Sequence, residues 1–375
     1  MWNNIIAQDR AKKILINIFK TGNIAHSYIF FGKDGTGKDA AAIEFAKLLN
    51  CSNPVDNNPC DICKSCIQIS TFKSPFVRFI TALPAGKDSE DNDTLSDLKP
   101  EDYDLLNDEL AKKSQDIYHK IKLPKANTIR ISSIRDIKNS IYLSENSGVK
   151  KVYIISDADL MNVFTANSLL KILEEPPKNS VIILTTSRIN SLLPTIVGRC
   201  QKIHFEDIPV LELKKYILKK SPSLSESETL LMAELSNGSI YICNKILNEN
   251  YAELREKVIE FLTSMLTNKN LLLGSTIDDL ISGKDKEKIK QFLVLLIYWF
   301  RDLFLLKYNY ESNIINSDKI DRLKNFNKNF KSDNMKIIGL IEDSFRDFDQ
   351  NLNPELILFH LSQNIKLNIH RNSGI

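Results

Sequence analysis

The sequence predicts an α/β fold over residues 1–206 and an all-helical second half. Three observations lead there. Helical and strand-like patterns alternate up to about Phe205, a Gly-x-x-x-x-Gly-Lys run stands between a strand-like and a helical segment, and strand signals fade beyond Phe205.

In chain order, residues 9–20 place apolar side chains at helical spacing. Residues 28–31 form an aromatic and β-branched run that ends at Gly32, and residues 39–49 are helical again. Residues 152–155 and 181–184 have the continuous apolar character of buried strands. Between them, residues 164–173 read as an amphipathic helix that Pro176 and Pro177 stop. Residues 86–104 (GKDSEDNDTLSDLKPEDYD) are acidic and poor in large apolar side chains. That composition predicts a mobile, solvated insertion in preference to an acidic docking site. In the second half, residues 211–220 and 226–235 predict helices, Asn237 and Gly238 a turn, and residues 240–247 a third helix. A further helical block runs from Tyr251 to the C-terminus, with Asn351-Leu352-Asn353-Pro354 as a helix-start signal. The expected domains are 1–206, 207–250 and 251–375, with no solenoid repeat.

Apolar residues make up 43% of the 375 and charged residues 26%, as in ordinary soluble globular proteins. A formal charge of +3 neither demands a nucleic-acid partner nor excludes a local basic face. The first twenty residues mix polar and charged side chains with apolar ones, so no signal peptide is expected. Residues 292–306 are the most apolar stretch, but Arg301 and Asp302 interrupt it and it is too short for a bilayer; a buried helix is expected, and no membrane. A cytoplasmic, reducing compartment follows as the expectation, which favours metal over disulfides for clustered cysteines.

Gly32-Lys33-Asp34-Gly35-Thr36-Gly37-Lys38-Asp39 matches a phosphate loop. Gly32, Gly35 and Gly37 let the backbone wrap around phosphate oxygens, and Lys38 would reach the outer phosphates. The next position normally supplies a Ser or Thr hydroxyl to magnesium, and here it is Asp39. A carboxylate there adds negative charge beside the phosphates, although it could also hold a cation or cap the helix. The expectation is an empty or weakly occupied loop that keeps the shape of the fold. After the strand at 152–155, an active enzyme would place Asp and then Glu. In the most natural register Ser156 and Asp157 take those places; slid by one, Asp157 and Ala158 do. Neither register completes a catalytic site.

Cys51, Cys60, Cys63 and Cys66 supply four thiols with Asn53, Pro54, Asn57, Asn58 and Pro59 between the first two as turn formers. The set suits a closed, structural zinc site. An iron–sulfur cluster is the rival, but its fourth cysteine lies downstream before a proline, which is not so here.

Several segments have a specific look: Ile5-Ile6-Ala7-Gln8, then Ala25-His26-Ser27-Tyr28-Ile29-Phe30-Phe31-Gly32, then the cysteine module after the first core helix. Asn167-Ser168-Leu169-Leu170-Lys171-Ile172-Leu173-Glu174-Glu175-Pro176-Pro177 is the most distinctive, and Leu193-Pro194-Thr195-Ile196 precedes Gly198-Arg199-Cys200. Over most of the first 250 residues the chain resembles the delta-prime family of bacterial DNA polymerase III clamp-loader subunits, within the AAA+ superfamily. Trp299-Phe300-Arg301-Asp302-Leu303 and residues 351–358 are similar to that family's C-terminal segments, less specifically. The resemblance implies an AAA+ core, a small helical lid over 207–250 and a helical collar over 251–375 that assembles a pentamer.

The family carries Ser-Arg-Cys where this chain has Gly198-Arg199-Cys200. Its arginine contacts the γ-phosphate of ATP held by the neighbouring subunit, which makes Arg199 the expected arginine finger in trans; a structural salt bridge is the alternative. Thr185 and Thr186 end the strand where the family's sensor residue sits; a plain strand end is the alternative. ATP-binding members carry a phosphate-sensing arginine in the helix after Gly238-Ser239, where Ile240-Tyr241-Ile242 offers none. The resemblance therefore implies a non-catalytic clamp-loader subunit without ATPase activity of its own. Its implied partners are the gamma/tau ATPase subunits and the delta subunit, and through the complex the sliding clamp and primer-template DNA. The alternative is an active, gamma/tau-like ATPase subunit. A stand-alone zinc-containing DNA-binding module is a weaker third reading, since no basic stripe interleaved with aromatics stands out.

Overall fold

The computed structural model describes residues 2–84, 98–141, 148–177, 179–248, 251–282, 286–350 and 352–372. The chain divides into two compact units, residues 1–212 with 237–241, and residues 213–236 with 242–375.

The first unit is built on a five-stranded parallel sheet: β1 (Ser27–Phe31), β2 (Val77–Ile80), β3 (Lys151–Ile155), β4 (Ser180–Thr186) and β5 (Gln201–His204), in the order β2-β3-β4-β1-β5. Its helices are α1 (Asp9–Thr21), α2 (Lys38–Asn50), α3 (Lys64–Ser70), α4 (Pro100–Gln115), α5 (Ile131–Ile141), α6 (Val163–Glu174) and α7 (Pro194–Arg199). The central strands are continuously apolar over residues 28–31, 152–155 and 181–184 because both faces of the sheet are covered. Tyr28, Phe30, Val152, Ile154, Val181 and Ile183 point into one core with α1 and α2. Their neighbours Ile29, Tyr153, Ile155, Ile182 and Leu184 point into a second core with α5 and α6. Phe45 of α2 meets Tyr28 edge-on at 5.7 Å between ring centres, which ties the helix after residues 32–37 to the strand before them.

The strands expected at 28–31, 152–155 and 181–184 are present, as is the helix before the two prolines. The edge strands β2 and β5 escape pattern reading because each has four residues and only one fully buried side chain. One expectation needs correcting. Residues 86–97 of the acidic insertion lie outside the described residues, but residues 100–104 are the first turn of α4. Pro100 sits at a helix start, Glu101 and Asp102 complement the helix dipole there, and Lys112 and Lys113 do so at the other end. At residues 100–104, the charge that resembled a loop belongs to a solvated helix.

The second unit carries most of α8 (Val210–Lys220), α9 (Glu226–Leu235), most of α10 (Ile240–Asn248), α11 (Tyr251–Leu266), α12 (Asn270–Ile281), α13 (Lys286–Lys307), α14 (Ile320–Asn329), α15 (Asn334–Asp349) and α16 (Pro354–Leu367). It is not purely helical: β6 (Phe330–Ser332) and β7 (Ile369–Arg371) pair antiparallel, a three-residue ribbon too short to leave a sequence signal. Asn353 caps α16 by accepting from the Glu355 N–H at 2.9 Å, with Pro354 at the first helical position. The apolar run at 292–306 lies within α13, where Phe292, Leu293, Leu296, Phe300 and Leu303 are fully buried.

Asp302, also fully buried, accepts from the Asn316 N–H and the Asn316 side-chain amide at 2.8 Å each, and from the Ile315 N–H at 3.3 Å. Burial raises its pKa more than these donors lower it. Asp302→Ala strands those buried donors, and urea unfolding followed by circular dichroism should show a loss of about 3 kcal/mol.

Candidate phosphate-loop site and cysteine cluster

The loop between β1 and α2 lies beside the C-terminal ends of β3 and β4, because β1 pairs with β4 and β4 with β3. Gly35 and Gly37 have φ of +76° and +95°. A Cβ on Gly35 would lie 2.0 Å from the Ser239 hydroxyl and 2.9 Å from Tyr241; one on Gly37 would lie 3.1 Å from the Tyr118 ring. Side chains thus press onto the loop from two directions. Lys38 is buried and folds back on its own loop, donating to the carbonyls of Gly32 at 2.8 Å and Lys33 at 2.7 Å.

Asp39 opens α2 and faces the strand ends. Its Oδ2 accepts from the Ser156 hydroxyl at 2.8 Å and meets the Lys113 ammonium at 3.4 Å, while Oδ1 accepts from Thr185 at 2.6 Å. Ser156, not Asp157, is therefore the strand residue opposite the first turn of α2. The usual pair at these positions, a hydroxyl on the helix and a carboxylate on the strand, is exchanged here, and the hydrogen bond between them is kept. Burial pushes the Asp39 carboxyl up, but Lys113, Thr185 and Ser156 outweigh it and hold it below its ordinary 3.8.

A second ion-pair group lies alongside. Lys120 reaches Asp34 at 2.8 Å and Asp157 at 3.1 Å. Burial works against the Lys120 charge, yet Asp157 and Asp34 raise its pKa overall. Asp34 is held low against burial by Lys120, whereas burial and the neighbouring Asp39 and Asp34 push Asp157 up more than Lys120 pulls it down. Three carboxylates (Asp34, Asp39, Asp157) thus face three ammonium groups (Lys38, Lys113, Lys120). The cavity left among them is about 40 Å³. That is room for two or three waters and far below the roughly 300 Å³ of the smallest typical ligand pockets.

The sequence reading missed Lys113, Tyr118 and Lys120. All lie at or beyond the C-terminal end of α4, more than seventy residues from the loop, and no spacing rule connects them to it. The exchange of Asp39 with Ser156 was visible as two separate departures from the usual pattern. Their complementarity was the available signal.

The four cysteines do come together. The Sγ atoms of Cys51, Cys60, Cys63 and Cys66 all lie within 4.8 Å of one another, against about 3.8 Å between ligands of a tetrahedral zinc with sulfurs at 2.3 Å. Backbone N–H groups of Cys60, Cys63 and Cys66 donate to the Sγ of Cys51, Cys60 and Cys63 at 3.2, 3.4 and 3.5 Å. Burial opposes the Cys63 thiolate, but donors from Ser52 and Cys66 hold its pKa down to about 5. Burial and the neighbouring thiols push Cys66 up instead. Four thiolates this close repel one another, so the donor set fits a divalent cation. The described turn residues Asp56, Asn57 and Asp61 take positive φ, which lets the chain fold back at each bend.

Arg199 is the last residue of α7, 38% exposed in its side chain. It donates to the Thr195 carbonyl at 3.0 Å and to Glu174 at 2.9 Å, and its own carbonyl accepts from the Ser27 hydroxyl at 2.9 Å. Gly198 has no atom within 4 Å of a built Cβ and no left-handed φ, so nothing in the structure requires a glycine there.

Residues 7–209 match the family model for DNA polymerase III, delta subunit, and residues 249–362 match that for its C-terminal part. The chain belongs to the DNA polymerase III delta/delta-prime family of clamp-loader subunits. Among relatives, DNA polymerase III subunit delta' of Bacillus subtilis (strain 168) is 26% identical over 357 residues, covering 94% of each chain. Subunit delta' of Pseudomonas aeruginosa is 28% identical over 248 residues, covering 64% of this chain and 62% of that one. Subunit tau of Bacillus subtilis (strain 168) is 24% identical over 328 residues, 82% of this chain but 50% of that longer protein. This member of the family has an α/β unit and a helical unit, and among its described residues no helix is long and apolar enough to cross a membrane.

Two outcomes follow. Since the folded pKa of Asp39 is depressed, its stabilisation is complete above 3.8 and is lost as pH falls through the lower folded value. Asp39→Asn should therefore cost about 1–3 kcal/mol at neutral pH and flatten the acid limb of a urea-midpoint against pH curve. Gly198→Ala should raise stability by about 0.5–1 kcal/mol in the same assay, as expected for an open helical site.

Proposed function

We propose that this chain is a non-catalytic subunit of the DNA polymerase III clamp loader that lends an arginine to a neighbour's ATP. The observation that carries the reading is the exchange at Asp39 and Ser156. The hydroxyl that would bind magnesium is replaced by a carboxylate, and that carboxylate is already satisfied by Ser156, Thr185 and Lys113. Magnesium would have to compete with an ammonium held in place by the fold, and without magnesium phosphoryl transfer loses its main electrostatic stabilisation. Support also comes from the Bacillus subtilis relatives: the match to its delta' runs nearly end to end of both chains, whereas that to its tau spans half of tau.

In this reading the phosphate loop, Gly32, Gly35, Gly37 and Lys38, serves as architecture. Arg199 is the residue offered in trans, as an arginine finger toward ATP on an adjoining gamma/tau subunit. Glu174 and the Thr195 carbonyl hold its guanidinium at the end of α7 until a γ-phosphate competes for it. The delta subunit, the sliding clamp and primer-template DNA are partners through the assembly. The residues 207–250 act as a lid and 251–375 as a collar. Cys51, Cys60, Cys63 and Cys66 hold a structural zinc, which when bound neutralises the clustered thiolates and fixes the fold-back of the module.

The reconstituted clamp loader tests this directly. Arg199→Ala should lower DNA-stimulated ATPase kcat by roughly 1,000-fold at the affected site, while Lys38→Ala in this subunit leaves it unchanged. Full activity with Arg199→Ala, or loss with Lys38→Ala, would contradict the reading. Elemental analysis should find one zinc per purified chain, and Cys60→Ser with Cys63→Ser should remove it.

A further inference from the structure

The stretch from Lys113 to Lys122 makes contacts that ordinary spacing of a surface insertion would not require. Lys113, 2% exposed, meets Asp39 at 3.4 Å and donates to the His119 carbonyl at 2.7 Å. Tyr118 lays its ring against Gly37, and its hydroxyl accepts from the Ile6 N–H at 2.7 Å. Lys120 bridges Asp34 of the loop and Asp157 at the end of β3. Lys122 stands over the ring of Tyr241, 5.2 Å from its centre, and Tyr241 in turn packs on Gly35.

The stretch is itself anchored. Ile121 and Leu123 are buried with Leu83 and Leu98 in a small apolar cluster, against which Leu106 and Leu110 of α4 pack. The backbone there alternates, with apolar side chains on this cluster and polar ones on the phosphate loop. Glu109 of α4 accepts from Lys122 N–H at 3.3 Å and pairs with His119 at 2.8 Å, fixing the turn from the helix into the stretch.

We propose that residues 113–122 are a built-in ligand of the phosphate loop. They hold together by tether the same four parts that a bound nucleotide with its cation would bridge: the loop, the first turn of α2, the end of β3 and the 237–241 strap. The ammonium of Lys113 takes the place of the cation beside the first turn of α2, and that of Lys120 the place beside β3. The Asp34 and Asp39 carboxylates supply the negative charge that phosphates would bring. The strap is closed on the loop by Lys33, which donates to the Asn237 carbonyl at 2.6 Å, and by the Ile240 N–H donating to the Gly35 carbonyl at 3.0 Å. A tethered segment meets the loop at a high effective concentration, on the order of millimolar, so a free nucleotide would have to displace it before it could bind. The inference deepens the non-catalytic reading and rests on it only for the absence of a competing nucleotide.

Hydrogen exchange on the full chain tests it. The double variant Lys113→Met with Lys120→Met keeps the side-chain stems and removes both charges. Amide exchange across residues 33–39 and 238–241 should then rise about tenfold or more, with exchange in α13 to α16 unchanged. Adding MgATP to the unsubstituted chain should alter none of these segments. Unchanged exchange in the double variant would overturn the proposal, and so would MgATP-dependent exchange at residues 113–122 in the unsubstituted chain. If the double variant loses the whole first unit, Lys120→Gln alone decides: faster exchange confined to the loop and strap supports the proposal, and none overturns it. Clamp-loader ATPase is not read in this experiment, so an inactive Arg199 would not affect its outcome.

Discussion

Ser156, Thr185 and Lys113 converge on the carboxylate of Asp39, and these contacts join α2, β3, β4 and α4 at one point. An unpaired carboxylate at the start of α2 would be costly in a site this enclosed. Two hydroxyls from the strand ends satisfy its oxygens, and an ammonium balances its charge. Delivering that ammonium requires a helix, α4, whose last turn reaches the loop. The same chain then carries Tyr118 and Lys120 into the remaining space. The acidic Asp39, which looked like a lost magnesium ligand, is the anchor of a different and fully satisfied arrangement.

In the proposed reading, that arrangement lets the loop from Gly32 to Asp39 keep its shape without a nucleotide. Gly35 and Gly37 take left-handed backbone, and glycine loses more conformational freedom on ordering than any other residue. Here three ammonium groups and three carboxylates balance across the loop, and two tyrosines press on its glycines. In the proposed reading, what the subunit lends to catalysis lies elsewhere, at Arg199. That guanidinium is held by one exposed carboxylate and one carbonyl, a weak restraint that a phosphate could displace.

Much of this was legible from the residues alone. The central strands announced themselves through continuous apolar runs, since a sheet covered on both faces leaves no polar alternation. The cysteine module was legible from spacing, and the four sulfurs do lie together. Gly32, Gly35, Gly37 and Lys38 do run from the end of β1 into the first turn of α2. Edge strands β2 and β5 and the ribbon of β6 and β7 were not legible, because three or four half-exposed residues carry no period. Residues 100–104 were misjudged because charge on a solvated helix has the same composition as a loop. Lys113, Tyr118 and Lys120 were beyond reach for a different reason: their role depends on where α4 lands, which is a property of tertiary packing.

The central claim is that this phosphate loop is filled from within and takes no nucleotide. Equilibrium dialysis of the isolated full chain against labelled MgATP measures this without reference to any partner. The account predicts no saturable binding up to about 1 mM, a concentration at which even weak sites of about −4 kcal/mol would fill to half. One equivalent of MgATP bound with micromolar affinity, and lost on Lys38→Ala, would contradict it.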